Sequence, residues 1–227
     1  MHYSKQKFES FLVNSRSILN ISFNTRSIKE AIGDFGYTDE RLEEGKRLYD
    51  DLVETAELQE TKEEEKKLCF ERKALFQAKL SSEYMKYLKI ARIVFNKNEE
   101  AYLALALKGQ RERTYDKWYH QVSVFCNNLL ANEEYLRKMN SFGIKKNDIK
   151  KIKNDLEGIQ HISDECTRLS AKVSSLIKDK KIRTIKWQKW LSDFIKIVRI
   201  AVQDASPANK QWLKQLLSQG EQGENVN

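Results

Sequence analysis

Apolar residues recur three and four positions apart along most of this chain, and the same pattern is written twice. Leu42, Gly45, Tyr49, Leu52 and Ala56 step by 3, 4, 3 and 4 residues, and so do Ile149, Ile152, Leu156, Ile159 and Ser163. That period places them on one stripe of a helix, the seam of a bundle. Phe8, Phe11, Leu12, Ser15, Ile18 and Leu19 predict an earlier helix. Its counterpart begins near Thr114 and uses Tyr115, Trp118, Tyr119, Val122, Phe125 and Cys126. Tyr84, Leu88, Ala91 and Phe95 predict a last long helix in the first half, matched by Leu191, Ile195, Val198 and Val202 in the second.

Short identities fix the offset. Phe35-Gly36-Tyr37 returns as Phe142-Gly143-Ile144, and Lys89-Ile90-Ala91-Arg92-Ile93 returns as Lys196-Ile197-Val198-Arg199-Ile200, both 107 residues later (142 − 35 and 199 − 92). A fixed offset without insertion or deletion reads as a tandem duplication. The expected fold is all-α, two antiparallel helical-bundle modules with three or four main helices each. Residues 1–108 form the first repeat, 109–218 the second, and 219–227 a disordered polar tail.

Glycines and polar caps punctuate the pattern. Gly36 and Gly143 read as residues just past a short helix, where a left-handed backbone is easy only for glycine. Thr38 or Asp39, and Asn147 in the second repeat, are placed to cap the helix that follows. Asn98 precedes a short apolar helix at 101–107. Ser206-Pro207 leads into a matching segment around Trp212, Leu213, Leu216 and Leu217. Between Thr38 and Phe95 the only glycine is Gly45 and there is no proline. As one helix this stretch would run roughly 85 Å at about 1.5 Å per residue. A closed bundle would need it to turn back, so hairpins are expected in the polar stretches Glu57–Lys67 and Ser170–Lys181.

Composition supports helices: of 227 residues, one is Pro and eight are Gly, and the common residues are good helix formers. The apolar share, 40%, is too high for a disordered chain. No stretch approaches the roughly 20 apolar residues of a membrane span, and the N-terminus has no secretory pattern, so a cytoplasmic location is expected. Cys69, Cys126 and Cys166 are odd in number and far apart. They are expected to be small apolar fillers in a reducing compartment, without a disulfide framework.

Charge distinguishes the halves. Residues 1–108 hold 19 basic and 19 acidic residues, whereas 109–227 hold 22 and 14, which accounts for the whole net charge of +8. Between Asp39 and Glu65 there are 12 acidic and 4 basic residues. The second half carries two basic clusters instead. Lys145, Lys146, Lys150, Lys151 and Lys153 open one helix. Lys178, Lys180, Lys181, Arg183, Lys186 and Lys189 lie beside Trp187 and Trp190. Cations next to aromatic rings suit phosphate backbones and stacked bases and equally an acidic membrane surface. A solvated lysine face is the plain alternative.

No catalytic signature stands out. The chain has no nucleophile elbow, Walker A or dinucleotide-binding glycine motif. His161 lies four residues from both Glu157 and Glu165, but no Glu-x-x-His pair supports a di-metal bundle, so no metal and no cofactor is expected. Arg92 and Arg199, shared by both repeats, read as structural ion-pairing positions whose stems cover apolar surface. The function expected is a non-enzymatic scaffold or adaptor that binds another macromolecule, a protein in the first instance. RNA or DNA binding through the basic face of the second repeat is the alternative.

Overall fold

The computed structural model describes residues 5–204, 207, 210, 211 and 213–215. Ser206, Trp212, Leu216, Leu217 and the tail 219–227 lie outside them, as does the terminal His2. The described residues contain helices and no strand. In chain order these are α1 (Lys5–Asn24), α2 (Arg26–Gly33), α3 (Asp39–Val94), α4 (Glu99–Ala104), α5 (Tyr115–Ala131), α6 (Glu133–Asn140) and α7 (Lys146–Asp204). No described helix is long and apolar enough to cross a membrane.

The expected hairpins do not form. α3 is helical through Glu57–Lys67, and α7 is helical through Ser170–Lys181. Glu57–Lys67 is mostly Glu, Lys, Gln and Leu, all good helix formers, and neither stretch has a glycine or proline to stop the ladder. Between Thr55 and Cys69 no residue is buried. The apolar seam gives way there to half-buried and exposed polar positions without interrupting the helix.

Because both long helices are unbroken, each divides between two compact units. Unit one draws on residues 1–62 and 172–227, and unit two comprises residues 63–171. These units cut across the boundary expected at 108/109. In unit one the start of α3 runs antiparallel to the end of α7: Tyr37 meets Trp190 and Phe194, Tyr49 meets Trp187, and Asp51 pairs with Arg183. α1 and α2 complete the core with Phe11, Ile18, Ile28 and Ile32. In unit two the end of α3 runs antiparallel to the start of α7, with Arg72 against Glu165 and Glu83 against Lys151. There α4, α5 and α6 close over Tyr84, Leu88, Phe95, Phe125 and Met139.

The turns before α3 and α7 are built alike. Gly36 has φ +83° and Gly143 φ +82°. Gly36 N–H donates to Gly33 C=O at 2.9 Å and Tyr37 N–H to Ile32 C=O at 3.2 Å. Gly143 N–H donates to Asn140 C=O and Ile144 N–H to Met139 C=O at the same two distances. Both are helix stops in which the left-handed residue folds the chain back onto the last carbonyls. Capping departs from expectation in one place. α7 begins at Lys146, so Asn147 lies inside the helix. The Asp148 carboxylate takes over by accepting the Lys145 N–H at 2.8 Å. At α3 the Thr38 hydroxyl bonds Glu40 and holds that exposed carboxyl below its usual range.

Cys69 and Cys166 form a disulfide with Cα atoms 5.7 Å apart, contrary to the reading of three free fillers. Spacing along the chain gave no hint, because the bond depends on how α3 and α7 align inside unit two. It closes a loop spanning 97 positions, and restricting a loop of that size stabilises a fold by about 4 to 5 kcal/mol in the chain-entropy account. Cys126 is the free thiol, and burial pushes its pKa up to about 12, so little thiolate exists at neutral pH.

One packing feature in unit one replaces side chain with backbone. Trp190 stacks between Trp187 and Phe194, with ring centroids 5.3 and 5.2 Å away, and Tyr37 meets its edge. Its ring lies directly on Gly45. A Cβ there would fall 2.6 Å from Trp190 Cε2 and closer still to two other ring atoms. Gly45→Ala should therefore destabilise unit one by about 1–3 kcal/mol through overpacking, despite alanine's helix preference of about 1 kcal/mol. Denaturant unfolding followed by tryptophan fluorescence checks this, and an equal or higher midpoint contradicts it. Iodoacetamide labelling without reductant should modify no cysteine in the folded protein and one, Cys126, after unfolding; labelling after unfolding and reduction should reach all 3.

Candidate functional site

The basic residues singled out by the sequence lie on α7 and the turn before it, and they divide between the two units. Lys145, Lys146, Lys150, Lys151 and Lys153 belong to unit two, and Lys178, Lys180, Lys181, Arg183, Lys186 and Lys189 to unit one.

In unit two, intramolecular carboxylates take up part of the charge. Lys146 pairs with Glu133 at 3.1 Å, and Lys151 with Glu83 at 3.2 Å. The bond to Glu83 raises the pKa of Lys151. Both pairs are largely exposed and worth little to stability. Lys145 and Lys150 are exposed, and Lys153 is half-buried.

In unit one, Arg183 pairs with Asp51 at 2.6 Å, so the acidic start of α3 already meets the basic end of α7 within the chain. Beside this pair is a cleft of about 390 Å³ lined by Leu48, Asp51, Asp179, Ile182, Arg183 and Lys186. Lys180 reaches the other way and places its ammonium 4.3 Å from the Phe8 ring centroid. Lys178, Lys181 and Lys189 are exposed. The aromatic half of the expected pattern is absent from the surface. Trp187 is 0% exposed and Trp190 8%, and Trp187 Nε1 donates to Ser15 Oγ at 3.0 Å. Neither ring is available to stack on a base. The 3.6-residue period explains this, since a tryptophan beside lysines in sequence points to a different side of the helix.

Arg92 and Arg199 differ in setting. Arg92 donates from Nε to the Leu107 carbonyl and from Nη2 to the Gly109 carbonyl, each at 2.8 Å. Arg111 adds bonds to the carbonyls of Ala106 and Lys108 and to the Tyr84 hydroxyl. Two guanidinium groups thus hold the segment after α4, where Ala106 takes φ +49° and Gly109 φ +78°. Burial pushes the Tyr84 hydroxyl pKa up, and Arg111 opposes that shift. Arg199 is exposed on α7.

Sequence reasoning passed over a polar group in unit two. Lys73 donates to Ser163 Oγ at 2.7 Å and lies 3.6 Å from the Tyr115 ring centroid. Desolvation lowers its pKa, although Asp116 and Asp164 oppose the shift. The hint available was Ser163, a hydroxyl in the last seam position of the α7 pattern. Elsewhere, Glu165 faces Arg72 and Asp164 accepts from Gln160, so two of the acids near His161 are engaged. Among the described residues, no group of three His, Cys, Asp or Glu is arranged to hold a metal ion.

No protein-family model matches the chain, and no curated protein or solved structure matches it either.

The anchoring role of Arg92 is open to direct test. Arg92→Met should cost about 1–3 kcal/mol by stranding carbonyls and losing charged hydrogen bonds. It should also speed tryptic cleavage after Lys108, measured by mass spectrometry of timed digests. Arg199→Met should leave that cleavage rate unchanged.

Proposed function

We propose that the chain is a non-enzymatic helical scaffold or adaptor, built by duplication of one helical module, whose partner is another protein. The duplication is supported by the helix boundaries. α2 spans 26–33 and α6 spans 133–140; α3 begins at 39 and α7 at 146; every difference is 107. The two glycine turns repeat the same backbone conformation at the same interval. One folding plan used twice, with different surface charges, is an economical way to present different faces.

The observation that carries a protein partner is on α3 in unit two. Leu68 and Leu75 are 63% and 73% exposed. They stand seven residues apart, so they share one side of the helix. Two leucines held in water on a rigid helix are suited to a partner's apolar surface. A second reading, nucleic-acid binding through the first basic cluster, is favoured by the exposed Lys145 and Lys150.

A cytoplasmic location belongs to this proposal and is tested at Cys69–Cys166. Disulfides persist in oxidising compartments and are rare or transient in the cytosol. Trapping thiols at the moment of cell lysis reads which state the protein holds.

The deciding experiment is affinity capture with the full chain and with a Leu68→Asp/Leu75→Asp variant of matched circular dichroism. A stoichiometric protein retained by the first and lost by the second, and then reconstituted from purified components, is the expected result. Identical capture by both chains would sink the reading. Salt-sensitive oligonucleotide binding, abolished by Lys145→Glu/Lys150→Glu, would replace it with the nucleic-acid reading.

A further inference from the structure

In unit one, the solvent side of α7 carries isoleucines among lysines. Ile182 and Ile185 are 53% and 55% exposed. Lys178, Lys181 and Lys189 stand three, four or seven residues from one or both of them, so all five share a side of the helix. The remaining sides are occupied. Lys180 and Trp187 turn towards α1, where they meet Phe8 and Ser15. Arg183 turns towards α3, where it meets Asp51, and Lys186 lines the same cleft. The acidic start of α3 therefore neutralises a flank of α7 and leaves the lysine-isoleucine side uncompensated.

The local charge is large. From Lys172 to Ile200 there are nine basic residues and two acidic ones. Asp179 belongs to the cleft with Arg183 and Lys186, and Asp193 pairs with Lys196 at 3.2 Å. Asp193 also stands four residues from Lys189, on the stripe's own side, which leaves the stripe net positive.

We propose that this side of α7 is a docking surface for an anionic lipid bilayer. Charge complementarity selects the anion, and the isoleucines select the bilayer. Lysine ammonium groups reach acidic headgroups on flexible stems, while branched aliphatic side chains between them enter the boundary of the acyl region. A nucleic acid would gain from stacked rings or arginine forks, but both tryptophans of this segment are buried and Arg183 is engaged with Asp51. Exposed isoleucines offer a phosphate backbone nothing. This surface is independent of the leucine side of α3, so either assignment can fail without the other.

The test is co-sedimentation of the full chain with vesicles of equal parts phosphatidylserine and phosphatidylcholine, against vesicles of phosphatidylcholine alone. Binding to the first and not the second, weakening as salt is raised, is expected. Lys178→Gln/Lys181→Gln/Lys189→Gln should weaken binding on the order of a hundredfold, since each lysine near an anionic surface is worth about fivefold. Ile182→Ser/Ile185→Ser should also release the protein from the anionic vesicles. All five positions are exposed, so helix content and melting temperature should match the parent and serve as the folding control. Equal binding to both vesicle types, no binding to either, or full binding by either variant would overturn the proposal. Salt-sensitive binding to a single-stranded oligonucleotide in place of vesicles would overturn it in favour of a nucleic acid.

Discussion

Everything in this fold depends on the continuity of α3 and α7. A helix with an apolar seam must bury that seam, and a helix without a break cannot fold back to bury it against itself. The start of α3 is therefore covered by the end of α7, and the end of α3 by the start of α7. Each compact unit takes one portion of each long helix, while the short helices join whichever portion lies next to them in sequence. The division of both long helices between the two units follows directly.

Within that constraint the two units use different means to the same end. In unit one, bulk on α7 is matched by its absence on α3: Trp190 lies on Gly45, and the stacked rings of Trp187, Trp190 and Phe194 fill the space. At the corresponding positions of unit two, 107 residues away, Ile152 stands in place of Gly45 and Glu83 in place of Trp190. Aliphatic packing there is joined by the Glu83–Lys151 pair and the Cys69–Cys166 bond. One unit thus fills this place with stacked rings and the other with aliphatic side chains, a salt bridge and a disulfide. Surface character differs as well, with exposed leucines on α3 in one unit and a lysine-isoleucine side on α7 in the other.

The helical stretches, their buried stripes and the glycine turns were legible along the chain, while the absence of the two expected hairpins was not. The 3-4 spacing places Leu42, Leu52, Ile149, Ile159, Tyr84 and Val198 in the cores, and Gly36 and Gly143 stop short helices because only glycine enters the left-handed region without strain. These are local properties, set by the helical period and by the backbone of one residue. Only the tertiary structure decided which helix covers which seam, because every apolar stripe is chemically acceptable to every other. That choice brought Cys69 to Cys166. It also buried Trp187 and Trp190 while leaving Ile182 and Ile185 in water. The functional surfaces depend on that choice as well, since a lysine is an exposed cation or half of an ion pair according to which helix lies beside it.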